Sequence, residues 1–297
     1  MLDVRKTESD NFVDVVGILK ELDIVDGVTA DGRGWVRGTA KIAADQDING
    51  KVTPCEVTVK MFSMRLKADG GLNQVYDRIM GYKEKFTSAA AAGSLAEASR
   101  VAVKGAKLEE NIWIDKNNGQ ERSGFQISSN FLNLKKESDK EEAKFRLSGV
   151  ILNEPAEEVD GNGDPTGRLK FKFGVIGYKG KIHVLDLYAQ DQAKAHIEAN
   201  WSKYDTVKII GKVNSSVTVK MEEINLGFGE TDVTPRTNVR RELIVTGGSG
   251  SGLEEDLSYD IDSVKIALDE RKAEIAKLKE GGAAKAPAKN KPVDLGF

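Results

Sequence analysis

Cysteine occurs once in 297 residues, at Cys55. No disulfide can form within the chain, and that usage fits a reducing cytoplasm. Cys55 follows Val52-Thr53-Pro54 at the start of a strand pattern and reads as buried apolar filler. Histidine occurs twice, at His183 and His196, and neither has a second metal ligand at a suitable spacing. That speaks against a structural zinc site. No apolar run approaches the ~20 residues of a membrane span, and the polar opening from Met1 to Asp10 is unlike a leader peptide. The expectation is a cytoplasmic chain with no membrane partner.

Chemical motifs are also missing. There is no nucleophile elbow, no His paired with Cys or Ser, and no metal-ligand cluster. Gly247 to Gly252 is glycine-rich but lacks the Gly-Lys-Ser/Thr ending of a phosphate loop. Asp160 to Asp164 opens like a calcium loop, yet Phe171 stands where the closing glutamate belongs. These absences predict a protein that is not an enzyme and uses no cofactor or metal. Excess charge is absent too. The formal net charge is −3, with 44 basic against 47 acidic residues, so the distribution carries the information rather than the sum.

What is present is a strand-rich plan stated twice. Gly34-Trp35-Val36-Arg37-Gly38-Thr39-Ala40-Lys41-Ile42 and Gly167-Arg168-Leu169-Lys170-Phe171-Lys172-Phe173 both alternate basic with apolar residues. Successive strand side chains point to opposite faces, so each segment buries one face and offers a cationic stripe on the other. A solvated basic face with no function is the competing reading. In the first module, strand patterns at Phe12–Leu22, the Trp35 segment and Glu56–Met64 precede a helical period at Leu72, Val75, Ile79 and Tyr82. Strand patterns then resume at Val101 and run to Leu132, and Asp47-Ile48-Asn49-Gly50 signals a hairpin. The second module repeats this order: Phe145–Leu152, the Arg168 segment, Ile182–Tyr188, a helix carrying Ala193, Ile197 and Trp201, then Thr206–Val213 and later strands.

Three strands, a helix and two strands is the order of an OB-fold. The expected fold is therefore mainly β (α+β): two tandem five-stranded barrels, each with a helix between strands three and four. The modules are assigned to residues 1–136 and 143–246, joined by the charged run Lys135–Glu142. Gly247 to Gly252 reads as a flexible linker. An acidic segment with an amphipathic helix spans 253–280, and residues 281–297 form a tail ending in Phe297.

Unpaired nucleic acid needs a cationic groove for phosphates and aromatic faces for bases. Parity puts Trp35, Arg37 and Lys41 on one face, opposite Val36, Ala40 and Ile42. On the next strand, Lys60 and Phe62 oppose Val57, Val59 and Met61, with Arg65 just beyond. Trp35 and Phe62 are stacking candidates; the alternative is that they cap the barrel or lie under the helix. In the second module Arg168, Lys170 and Lys172 are expected to face outward, with Tyr178 and Lys179 at the following turn. Phe171, Phe173 and Trp201 are expected in the core.

This arrangement resembles the phage single-stranded DNA-binding proteins and, in layout, the bacterial ones: OB-fold first, flexible segment next, short tail with a terminal Phe last. The resemblance implies non-enzymatic coating of single-stranded DNA in replication, recombination and repair, without strong sequence preference. It also implies that Asp294, Leu295 and Phe297 form a tip recruiting replication and recombination proteins. The tip departs from the family in carrying one acid, Asp294, with Lys285, Lys289 and Lys291 nearby. Two further readings stand beside it. One is an interaction adaptor or structural phage component that self-associates through the apolar stripe of the 260–278 helix. The other is a strand-annealing recombination mediator.

Overall fold

The computed structural model describes residues 1–48, 50–115, 118–136, 138–224 and 232–283, with the backbone alone for 218–224, 232–238 and 281–283. The chain is mainly β. Its first half contains β1 (Asn11–Val28), β2 (Gly34–Ala43), the small hairpin β3 (Gln46–Ile48) and β4 (Lys51–Thr53), and β5 (Glu56–Met64). Three short helices follow: α1 (Gln74–Met80), α2 (Tyr82–Lys85) and α3 (Ala89–Ala92). Then come β6 (Arg100–Ile114), β7 (Glu121–Ser128) and β8 (Asn133–Leu134). The second half contains β9 (Glu142–Ile151), β10 (Ala156–Val159), β11 (Pro165–Ile176), β12 (Ile182–Ala189), α4 (Asp191–Asn200), β13 (Thr206–Ile224), β14 (Asp232–Gly248) and α5 (Ile261–Ala283).

Two closed rings account for most of the pairing. In the first, β1 pairs β2, β2 pairs β5, β5 runs parallel to β7, β7 pairs β6, and β6 returns to β1. In the second, β9, β11, β12, β14 and β13 close in the same order, again with one parallel step, β12 to β14. The alternation seen in the sequence becomes inside and outside. Val36, Ala40 and Ile42 of β2 are buried, as are Leu169, Phe171 and Phe173 of β11. Ile79 and Tyr82 of the first helical segment, and Ile197 with Trp201 of the second, enter the same core, as their spacing predicts.

The rings meet along their first strands. Gly17 of β1 and Gly149 of β9 occupy corresponding places. A Cβ on Gly17 would lie 1.9 Å from the Ala43 carbonyl oxygen, and one on Gly149 would lie 2.2 Å from that of Gly174. Only glycine permits so close a backbone approach where the strand bends from one neighbour to the next. Setting Gly149 on Gly17 sets Phe145 on Val13, and Val13 and Phe145 are themselves paired across the junction. The pairs Asn11–Leu147 and Val15–Ala143 exchange under the same correspondence. The two rings are thus related by a pseudo-two-fold axis through a continuous antiparallel ladder. Buried Gln46 locks the junction, donating to the Val213 carbonyl at 2.7 Å and accepting from the Ala143 amide at 3.1 Å.

Two expectations about the C-terminal third are corrected. The glycine-rich run is no free linker. Gly247 and Gly248 lie in β14, a Cβ on Gly248 would meet the Trp201 ring at 2.9 Å, and the Ser249 carbonyl accepts the Trp201 indole N–H at 3.1 Å. Gly248 leaves the space that the indole and the Lys208 carbonyl oxygen fill. Nor is the stripe of α5 left free for self-association. Val264 and Ala267 are buried against Val4, Val150, Ile176 and Ile182, and Ile275 is buried too, while Leu278 stays exposed. Arg271 of α5 forms a two-pronged ion pair with Glu110 of β6, so the helix straps the second ring to the first. Among the described residues no helix is long and apolar enough to cross a membrane. The tail tip with Asp294, Leu295 and Phe297 lies outside the described residues.

Candidate nucleic-acid interface

A groove of about 900 Å³ runs over the outer face of the first ring. β2 supplies Arg37, β5 supplies Lys60 and Phe62, β6 supplies Lys107, and the segment after β7 supplies Asn130 and Phe131. Pairing explains why they meet: Arg37 lies opposite Phe62 and Thr39 opposite Lys60. Phe62 is 56% exposed, an aromatic face left to solvent, and Phe131 is exposed beside it under the Arg78 guanidinium at 4.9 Å. The Phe62 amide is held by the Asn130 side chain at 2.9 Å, which fixes this end of β5 against the loop. Lys60 donates to the Gln126 side-chain oxygen at 2.9 Å, and Gln126 in turn donates to Glu109 at 3.1 Å. Among the described residues Arg37, Lys60 and Lys107 have no carboxylate partner. Asp23 and Glu109 also line the groove, so its excess of positive charge is modest.

The other first-ring candidates fall around this groove. Trp35 is half-buried, its ring lying over Gly27, where a Cβ would approach to 2.7 Å, and under Arg37 at 5.5 Å. It shares the face of Arg37, as parity predicts, but stands beside the groove. Lys41 is not among the residues lining the groove and pairs with Glu21 at 2.7 Å. That hydrogen bond raises its pKa above the ordinary lysine value. Arg65 is exposed past the end of β5.

The second ring presents its cations differently. Arg168 was expected to face outward; its side chain is only 12% exposed. The guanidinium contacts Glu158 at 2.6 Å and both carboxylate oxygens of Glu242 at 2.9 and 3.1 Å. Burial works against the charge of Glu242, but Arg168 and Arg240 outweigh it and hold its pKa below the usual glutamate value. Lys170 pairs with Asp186 at 3.0 Å. Both Arg168 and Lys170 lie against the Tyr188 ring, at 4.8 and 5.5 Å. Lys172 is exposed and has no carboxylate partner among the described residues. Tyr178 is 73% exposed with Lys179 over its ring at 5.3 Å, and its turn lines another hollow with Lys181 and His183 that shares Lys107, Glu109 and Gln126 with the first-ring groove.

The structure therefore gathers Arg37, Lys60 and Phe62 in one place and sets Trp35 at its edge. It scatters the second-ring set. Sequence reasoning missed Lys107, Phe131, Phe12 and Arg146. Gly105, with φ +64, breaks the parity of β6 and turns Lys104 and Lys107 outward together. Lys144-Phe145-Arg146-Leu147 shows the same basic–apolar alternation as the two segments singled out and was readable by the same rule. Among the described residues no cluster of three or more His, Cys, Asp or Glu could hold a metal ion.

Residues 9–281 match the family described as YorF. The chain belongs to the YorF family. Its fold is similar to that of a deletion mutant of the single-stranded DNA binding protein from Thermus aquaticus. The two are 14% identical with a TM-score of 0.51, over 84% of this chain and 97% of that one. The wild-type Thermus aquaticus protein aligns at 14% identity and a TM-score of 0.49, over 82% and 93% of the two chains. No curated protein matches the sequence. At this identity the likeness is one of fold.

Proposed function

We propose that this YorF-family protein is a non-enzymatic binder of single-stranded DNA, and that each ring acts as an OB-fold barrel. The observation that carries the proposal is the first-ring groove: three cations without carboxylate partners among the described residues flank an exposed phenylalanine on the outer face of a closed five-stranded ring. Phosphates are neutralised by cations whatever the sequence, and every base has a face that can stack on Phe62 or Phe131. Both interactions are indifferent to base identity, so the protein coats strands without strong sequence preference. The fold shared with a single-stranded DNA binding protein supports this reading. Ring pairing into one ladder gives two linked surfaces, and linked surfaces raise overall affinity through effective concentration.

The finer reading extends to a replication or recombination setting of the phage type in the host cytoplasm, with Asp294, Leu295 and Phe297 recruiting partner proteins. It rests on the tail sequence alone. A gel-shift panel of single strand, duplex and RNA at two salt concentrations tests the main claim. Single-stranded DNA should bind tightest and lose affinity steeply as salt rises. Equal affinity for duplex, or no binding at low salt, overturns it.

A further inference from the structure

Lys107 of β6, Phe12 of β1, Arg146 of β9 and Ile210 of β13 form one row across the outer surface where the two rings join. Phe12 lies opposite Arg146, and Arg146 opposite Ile210, in the two ladders. The Lys107 ammonium lies 5.1 Å from the Phe12 ring centre and the Arg146 guanidinium 5.0 Å. One cation comes from each ring of strands, and the aromatic ring sits between them. Strands lie about 4.8 Å apart, so the two cations stand roughly 10 Å from each other across Phe12. Neither has a carboxylate partner among the described residues. Neighbouring charges on the same surface are occupied: Lys144 pairs with Glu142 at 2.6 Å, Lys104 reaches Asp14 at 3.4 Å, and Lys212 donates to the Asp47 carbonyl.

The row is continuous with the groove already described. A second hollow of about 470 Å³, lined by Phe12, Arg146, Ile210 and Lys212 among others, shares Gly105 with the first groove. Gly105 is set by its backbone, with φ +64, rather than by space: a Cβ there would lie 4.0 Å from the Phe12 ring, an ordinary contact. Ile210 is 52% exposed and offers an apolar face at the far end of the row.

We propose that a single strand leaving the first groove crosses the junction over Phe12, with Lys107 and Arg146 each holding a phosphate, and continues onto β13 of the second ring. This rests on the single-stranded DNA reading and names the path the strand takes. It gives the second ring a use beyond its outward stripe, where Arg168 and Lys170 are neutralised and only Lys172 lacks a carboxylate partner among the described residues.

The test uses the full chain and two oligo-dT probes, one of about 8 nucleotides to fill one groove and one of about 25 to cross the junction. In the wild type the longer probe should bind more tightly and with a steeper salt dependence. Arg146→Ala should lower the salt slope on the longer probe by about one, the loss of one phosphate contact. Phe12→Leu, which keeps an apolar side chain, should weaken the longer probe roughly tenfold and shrink its advantage over the short one. If the wild type binds both probes but the two variants keep the long-probe affinity and slope, the crossing is overturned and the groove stands. If the wild type binds neither probe, the single-stranded DNA reading fails first and takes the crossing with it.

Discussion

The two rings carry the same strand order, yet corresponding positions differ in charge. Superposing Gly149 on Gly17 places Arg168 on Arg37, Lys172 on Lys41, Tyr188 on Lys60 and Glu242 on Gln126, as the strand registers require. β11 has more cations than β2, but Glu242 supplies a carboxylate where the first ring has an amide. Gln126 accepts a hydrogen bond from Lys60 without cancelling its charge. Glu242, with a side chain only 8% exposed, draws Arg168 inward and neutralises it. The number of basic residues on a strand is thus a poor measure of its capacity for phosphate. What matters is whether the strand that runs parallel beside the next one brings an acid underneath.

The sharpest way to break this comparison is to remove the two corresponding arginines. Arg168→Ala leaves Glu242 buried without its main partner and should destabilise the protein by about 3 kcal/mol. Its effect on DNA affinity should be small. Arg37→Ala should do the reverse, leaving the melting temperature nearly unchanged and weakening single-stranded DNA binding by about 1 kcal/mol, with a shallower salt slope. Thermal melts and oligo-dT titrations on both variants check this. Equal losses of affinity would show that Arg168 reaches the strand after all. Next in size is Phe62→Ala, which should cost about 2 kcal/mol of affinity if a base stacks there. Tyr188→Ala, on the second ring, should cost little, because Arg168 and Lys170 already lie against its ring.

The comparison also separates what residues say from what only a fold says. Alternation revealed which faces of β2 and β11 are buried, because period two is a local property. The spacing of Ile79 with Tyr82, and of Ile197 with Trp201, revealed the helices that plug the rings. Whether Arg168 is free depended on Glu158, ten residues away across a hairpin, and on Glu242 from β14. No local pattern encodes the second contact. Gly247 and Gly248 looked like a linker by composition, but both lie in β14, and the lack of a side chain at Gly248 is a packing requirement set by Trp201, nearly fifty residues earlier. The groove was half legible: Arg37, Lys60 and Phe62 lie on strands adjacent in sequence. Lys107 and Phe131 join them through a parallel pairing and a bulge.

Exchanging the two side chains that set the rings apart is a finer test. Gln126→Glu would put a carboxylate beside Lys60 and next to Glu109, and should weaken oligo-dT binding by about 1 kcal/mol. Glu242→Gln combined with Glu158→Gln removes both carboxylates that pair Arg168 and should release its charge, each amide oxygen still accepting from the guanidinium. If the second ring then gains affinity for a long probe, pairing alone kept it silent; no gain would mean that its outward face lacks another element, such as a free aromatic.

The smallest expected effect lies in the acid limb of stability. The pKa of Glu242 is lower in the folded protein than in the unfolded chain, because Arg168 and Arg240 outweigh its burial. The folded state therefore gains from this group at any pH above the ordinary glutamate value of about 4.3. That gain is lost as pH falls through the lower folded value, where the native carboxylate also takes up its proton. Lys60 and Gln126 supply no such carboxylate in the first ring. Glu242→Gln should consequently flatten the drop in melting temperature below about pH 4.3, whereas Lys60→Gln should leave that limb unchanged. Were the two variants to show the same acid profile, the electrostatic difference between the rings would lie somewhere other than Glu242.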